Sequence, residues 1–488
     1  MKRPALSSVA LPGPLFLQLA FLLLVLGGCA TVDPYAAPPI VHSLERDDAV
    51  GYCARVFADV DRRIDSLGVR DAEAPRIAGF PYLRADRFSA ALADRAGNAE
   101  QQQAWRARLQ RLDETARATE LANAALSVDD LARCRILLAA ADRPAFKELR
   151  SAAKVPDDYS IALRALGLYP LTRLLFAAGI ARWHATTLST FDTPVEALPV
   201  HGRLQRYTPQ QRASDAPSRL PLDALGVPLL SPADATALLI RHAPMLEVDV
   251  AGGFDQPGAL ALDTGDRVTV DGAAPVVYTR LTHTLMDGLI YPQLVYTFWF
   301  SERPSRDALD LLAGKIDGVV WRVTLDRAGE ALVYDSMHAC GCYHLFFPTE
   351  KVEARHLPAT LDEGLFVPQT VRAARSNERV VLRIESGTHY LQRVQLSADS
   401  EATAAISYAL QDERALTTLA RRTGGTRSVY GENGFIAGSE RAERWFFWPM
   451  GIESAGQMRQ WGHHATAFVG RRHFDDPLLF DAYFEIRR

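Results

Sequence analysis

The sequence predicts an α+β protein, with an N-terminal helical domain followed by a larger, β-rich, mainly antiparallel domain. Three observations predict it. Apolar residues recur every three or four positions from about residue 44 to 190, a zone rich in Pro, Ser and Gln follows, and beyond it the apolar period shifts to two. The expected boundaries are 44–192 for the helical domain, 193–232 for a linker and 233–488 for the β-rich domain.

In the first part, Val50, Cys53, Phe57, Val60, Ile64 and Leu67 fall on one face of a helix. Trp105, Leu109 and Leu112 repeat the spacing, and Ser127-Val-Asp-Asp130 resembles a capping box ahead of Leu131, Cys134 and Leu138. Pro144 predicts a further helix start, and Val155-Pro-Asp-Asp158 a break. The apolar stretch from Ala165 to Ala181 contains Pro170 and Arg173, so it is expected as a buried helix rather than a membrane span. In the second part Val319, Trp321, Val323 and Leu325 alternate with other residues, a turn is expected at 326–330, and a strand follows from Ala331 to Tyr334. Val380, Leu382 and Ile384 repeat the alternation, with further strands expected at 268–270, 276–279 and 294–300 and a helix near Asp412–Arg421.

Of 488 residues, 48% are hydrophobic and 23% charged, which excludes collagen-like, coiled-coil and wholly disordered chains. Lys plus Arg number 54 against 58 for Asp plus Glu, a net charge of −4. Without a basic excess to collect phosphates, nucleic acid is not an expected partner.

The chain opens Met1-Lys2-Arg3 and runs apolar from Leu15 to Leu26, too short to span a bilayer but built as an export signal. It exits through Leu26-Gly27-Gly28-Cys29, which resembles the lipobox of bacterial lipoprotein precursors. The resemblance covers this segment alone. It implies that residues 1–28 are removed as a signal peptide and that Cys29 is lipidated, so the protein meets the membrane through a lipid anchor. Ala30 stands where an inner-membrane retention signal would place Asp, which implies the outer membrane, facing the periplasm. Residues 29–43, with Pro34, Pro38 and Pro39, read as a short, stiff tether.

Four cysteines remain besides Cys29, an even number for an oxidising compartment. Cys53 and Cys134 both lie on expected apolar helix faces, where a structural disulfide between them competes with two core thiols. The densest polar stretch is Asp335-Ser-Met-His338-Ala-Cys340-Gly-Cys342-Tyr-His344. In extended chain His338, Cys340, Cys342 and His344 point to one face, and two thiols with two imidazoles make a ligand set for zinc or copper. Residues two apart on a strand stand roughly 7 Å from each other. All four therefore converge only if the backbone curls at Gly341; a smaller site would recruit a remote histidine, His389 among His283, His463, His464 and His473. Rival readings are a strained Cys340–Cys342 disulfide, a thiol nucleophile paired with histidine, and a plain strand end. Arg459, Arg471 and Arg472 are candidates for an anionic ligand or for pairing with Asp475 and Asp476. Asp249, Asp255, Asp263 and Asp266 do not fit an EF-hand loop. The run Trp445-Phe-Phe-Trp448 is expected in the core, with an aromatic shelf for a sugar or lipid as the alternative.

No P-loop, H-E-x-x-H or G-x-S-x-G is present. The sequence therefore leaves enzymatic activity open. The leading expectation is a lipid-anchored envelope protein with a zinc or copper site at 338–344. The alternatives are a non-catalytic module binding a small molecule or protein, and a thiol-redox protein using Cys340 and Cys342.

Overall fold

The computed structural model describes residues 44–211, 220–307, 309–358, 360–398 and 405–487. The signal segment, Cys29 and the tether lie outside the described residues.

Helix α1 (Ala49–Leu67) begins where the Asp48 carboxylate accepts from the Gly51 amide at 2.9 Å and ends on Gly68, whose φ of 65° suits glycine. It buries Cys53, Phe57, Val60 and Ile64, the face that the spacing predicts. Helices α2 (Arg87–Leu92), α3 (Ala99–Ala124), α4 (Leu131–Ala141) and α5 (Phe146–Ala152) follow. Asp130 makes no side-chain cap on α4. A Cys53–Cys134 disulfide ties α1 to α4. Beneath it α3 buries Asp113, Arg117 and Glu120, matched by Arg84 (2.7 Å to Glu120) and Arg135 (2.6 Å to Asp113). Charges out of water require such partners. The apolar core of these helices continues into Leu285 and Ile290.

Helices α6 (Ile161–Leu166) and α7 (Tyr169–Asp192) come next. Pro170 sits in the first turn of α7, where its missing amide costs no hydrogen bond, so it starts the helix rather than breaking it. Contrary to the expected buried helix, only Phe191 of α7 is buried.

The remaining chain is organised by a ten-stranded sheet. Its strands are β1 (Arg203–Pro209), β2 (Met245–Val250), β3 (Val276–Met286), β4 (Leu289–Arg303), β5 (Gly314–Leu325), β6 (Ala331–His338), β7 (Leu345–Pro348), β8 (Glu378–Ile384), β9 (Leu391–Ala398) and β10 (Ile406–Asp412). The spatial order is β7-β6-β5-β4-β3-β10-β1-β2-β8-β9. Neighbours pair antiparallel except β10 with β3, β10 with β1 and β8 with β2, which are parallel. The class is thus α+β, with a mixed sheet.

Both faces of the central strands are covered. Leu294, Tyr296, Phe298, Val319, Trp321 and Val323 enter one core, and Val295, Trp299 and Val320 the opposite one. Two expectations change. The Pro- and Gln-rich zone holds β1, a central strand, because backbone pairing to β2 and β10 rather than apolar side chains places it there. The helix expected near Asp412–Arg421 is a short 3₁₀ turn at Glu413–Thr418, followed by a two-residue strand. Helix α8 (Arg444–Phe447) lies in the irregular C-terminal region.

The disulfide spans a sequence separation of 81 residues. Replacing both cysteines by serine is expected to lower stability by about 4 kcal/mol through the freer unfolded chain. Urea unfolding under non-reducing conditions checks this; an unchanged midpoint would contradict it.

Candidate functional site

Strand β6 ends at His338, and residues 339–344 form the turn into β7 rather than extended chain. Gly341 N donates to His338 O at 2.7 Å and His338 N to Cys342 O at 2.9 Å. Gly341 has φ 93°, and a Cβ there would stand 2.6 Å from Ala465 O, so glycine is required twice over. The common parity of His338, Cys340, Cys342 and His344 therefore does not bring them to one face.

The imidazoles fall to two carboxylates, Asp317 for His338 and His389 and Asp335 for His344. His338 Nδ1 lies 3.6 Å from Asp317 Oδ1, and His389, from the β8–β9 turn, places Nδ1 2.7 Å from Asp317 Oδ2 and Nε2 3.4 Å from Asp255 Oδ1. Arg441 approaches the same Asp317 at 3.4 Å. His344 instead contacts Asp335 at 2.8 Å, beside Arg322, which holds Asp335 through two bonds of 2.9 and 2.6 Å. Burial would push the Asp317 carboxyl up, but the two imidazoles outweigh it and hold it well below the usual carboxylate range. Burial also opposes charge on His389; the nearby Asp255 and Asp317 carboxylates prevail and raise its pKa. For His338 burial prevails over Asp317 and the pKa falls. His344 is pushed down to about 3, mainly by burial. The pair His338–His389 on Asp317 thus carries its proton on His389.

Cys340 and Cys342 are free and buried, and their thiols interact with each other. The contact with Cys340, together with burial, raises the Cys342 thiol well above its ordinary value. Of the remote histidines only His389 reaches a carboxylate shared with His338. His283 stacks on Phe88 at 5.2 Å, His464 Nε2 donates to Ala339 O at 3.1 Å, and His463 and His473 face Asp158 at 3.1 and 3.3 Å. Among the described residues no group of three or more His, Cys, Asp or Glu is arranged to hold a metal ion. The donors expected for zinc or copper, His338, Cys340, Cys342, His344 and His389, are divided between Asp317, Asp335 and the thiol pair.

The arginines are engaged as well. Arg459 donates to the carbonyls of Cys340 and His463, Arg471 pairs with Asp157 at 2.6 Å, and Arg472 binds Thr466 and Glu363. Asp475 pairs with Arg87 rather than with either neighbouring arginine. Asp249 and Asp263 accept from nearby backbone amides, and Asp266 pairs with Arg421.

The sequence reading missed Glu443. It stands beside a cavity of about 460 Å³ beneath α7, whose apolar wall includes Phe176, Ile180, Phe447 and Phe468. Cys342, Tyr343 and Tyr390 line it too, as does Glu363, whose carboxylate is held by Arg472 and the Phe468 amide. Burial raises the Glu443 carboxyl to about 7, against the pull of Arg441 and Arg303. Among the described residues no hydrogen bond or ion pair engages its side chain. Gly456, at φ 83°, lets the carboxylate in, because a Cβ at that position would collide with Glu443 Oε1. Tyr343 and Tyr390 pack edge to face at 4.7 Å. Together with Trp183 they also line a second cavity of about 200 Å³, where Ser336 and His338 meet the same aromatic wall. His338 Nε2 is buried there without a hydrogen-bond partner. Glu443 carries no sequence motif; its one signal is an acid just ahead of an aromatic run.

Removing the Asp317 charge leaves His389⁺ with Asp255 alone. Asp317→Asn is expected to cost about 3 kcal/mol, as for breaking a buried ion pair. A histidine whose folded pKa is raised lends stability that is complete below about 6.5 and is lost as pH rises through the folded value. The variant should therefore lose less stability than wild type between about pH 6 and about pH 9. Urea unfolding at both pH values checks this, and equal slopes would contradict it.

Compared with known protein families, curated proteins and solved structures, the chain has no match in any of the three, so its function must be read from its own geometry.

Proposed function

We propose that the protein is an exported, lipid-anchored envelope protein that binds a small molecule with an apolar body in the cavity beneath α7. The address rests on the signal-like segment Leu15–Leu26 and the lipobox ending at Cys29, with Ala30 favouring the outer membrane. The ligand rests on one observation: a ligand-sized apolar cavity with a single unpartnered carboxyl, that of Glu443, at its wall. A buried carboxyl without a partner destabilises a fold, and such groups concentrate at functional sites.

A second reading, acid–base catalysis on that ligand, is favoured by His338. Its Nδ1 faces Asp317, its Nε2 has no hydrogen-bond partner, and the residue lines the adjoining cavity, so a general base lies close to a bound ligand. The zinc or copper reading has less support, because its donors are divided among separate partners. Thiol-redox chemistry has less still, since the reactive form is the thiolate and the Cys342 thiol is held protonated.

Nile red, a neutral fluorophore that brightens in apolar surroundings, tests the cavity. Wild type is expected to bind one dye per chain, saturably. Binding should weaken as pH rises through about 7 and Glu443 ionises. Glu443→Gln should bind equally well on both sides of that value. Gly179 lines the cavity and has open space around it, so Gly179→Trp should fill the cavity without disturbing α7 and weaken binding by about tenfold or more. Absence of saturable binding, or binding indifferent to Gly179→Trp, would refute the proposal.

A further inference from the structure

Helices α6 and α7 carry apolar side chains where water would meet them. Leu166, Leu168, Leu171 and Leu174 are exposed, and Leu175 is 77% exposed. On α8, Trp445 (68%) and Phe446 (58%) also point outward, and Trp448 follows, in place of the core position expected for this run. The elements that carry these side chains pack against one another. Gly167 abuts Pro449 so closely that a Cβ would clash, Arg164 Nε donates to Met450 O at 2.8 Å, and the Phe176 and Phe447 rings meet edge to face at 5.1 Å. The exposed apolar area is on the order of 1,000 Å², against a few hundred on an ordinary monomer.

Along the apolar stretch the charges are mainly basic: residues 160–191 contain Arg164, Arg173 and Arg182, and residues 444–452 contain Arg444, with acids only at the margins, Asp192 at the end of α7 and Glu453. Leucines and tryptophans interspersed with arginines complement an anionic lipid surface, where indole rings settle at the headgroup level. A second copy of the chain fits less well, because a two-fold contact of this face with itself would set arginine against arginine. No helix among the described residues is long and apolar enough to cross a membrane.

We infer that the face built by α6, α7 and α8 docks on an anionic lipid bilayer, burying its leucines and tryptophans at the boundary between headgroups and acyl chains. Leu175 lines the cavity as well as this face, so a molecule dissolved in the bilayer has a direct route to it. The docking itself does not depend on what the cavity holds.

Trp445 and Trp448 are the natural reporters, because Trp105, Trp299, Trp321 and Trp461 are buried and Trp183 lines the cavities. The full chain is reconstituted with vesicles of phosphatidylcholine and phosphatidylglycerol, with and without bromine on the acyl chains. Bromine is expected to lower tryptophan emission by roughly a quarter, two of the seven tryptophans being in reach. That loss should shrink several-fold in Trp445→Phe/Trp448→Phe, and also in Leu171→Gln/Leu174→Gln/Leu175→Gln, whose exposed positions leave the fold intact. Equal emission in both vesicle types would overturn the inference, as would quenching that the Trp445→Phe/Trp448→Phe variant retains. Unquenched emission together with cross-linking into dimers would give the face to a second copy and overturn it too.

Discussion

A carboxylate buried inside a β-sheet must be neutralised, and at Asp317 that requirement draws together three stretches of chain that are far apart in sequence. Asp317 stands near the start of β5. Its partners are His338 at the end of β6, His389 in the β8–β9 turn and Arg441 in the C-terminal region. The His338 contact follows from the pairing of β6 with β5, which sets His338 opposite Val319, two residues from Asp317; those of His389 and Arg441 do not follow from strand pairing. Because each partner brings its neighbours with it, the same knot places Tyr343, Tyr390 and Glu443 around one space beneath α7. His389 adopts φ 55° to reach its two aspartates, a conformation unusual for a residue with a side chain and tolerated where the surroundings fix it.

The neighbouring carboxyl, Glu443, behaves in the opposite way. Asp317 is surrounded by imidazoles and a guanidinium and stays charged; Glu443 has arginines nearby but no direct bond, and burial decides its state. A site with one fixed charge and one carboxyl poised near neutrality can hold an apolar molecule while offering it a proton or a hydrogen bond. The two cavities share Trp183, Tyr343 and Tyr390, so a ligand in the larger one lies against the wall that His338 faces from the smaller. The exposed apolar side of α7 meets this space at Leu175.

What the sequence made legible was periodicity. The helix over Val50–Ile64 and the strands around Val319–Leu325, Ala331–Tyr334 and Val380–Ile384 stand where their apolar spacing predicts, and Cys53 and Cys134 meet because both lie on buried faces. Where placement depends on partners rather than on pattern, the sequence was silent. β1 is a central strand with few apolar residues, held by backbone pairing on both sides. The parity of His338 to His344 presumed an extended chain, whereas Gly341 turns it. Helix α7 and the Trp445–Trp448 run are as apolar as core elements yet remain largely exposed, and composition cannot distinguish a core from an exposed apolar face. Glu443 is an ordinary glutamate until the fold encloses it.

The protonation state of Glu443 tests the central claim, a buried carboxyl kept free for a ligand, most directly. Infrared difference spectra of the full chain, with Glu443→Gln as the reference, isolate its carboxyl band during a pH titration. A protonated C=O band that disappears with a midpoint near 7, and shifts when an apolar molecule saturates the cavity, is the expected result. A carboxylate already ionised at the ordinary glutamate value, with a band indifferent to the ligand, would contradict it.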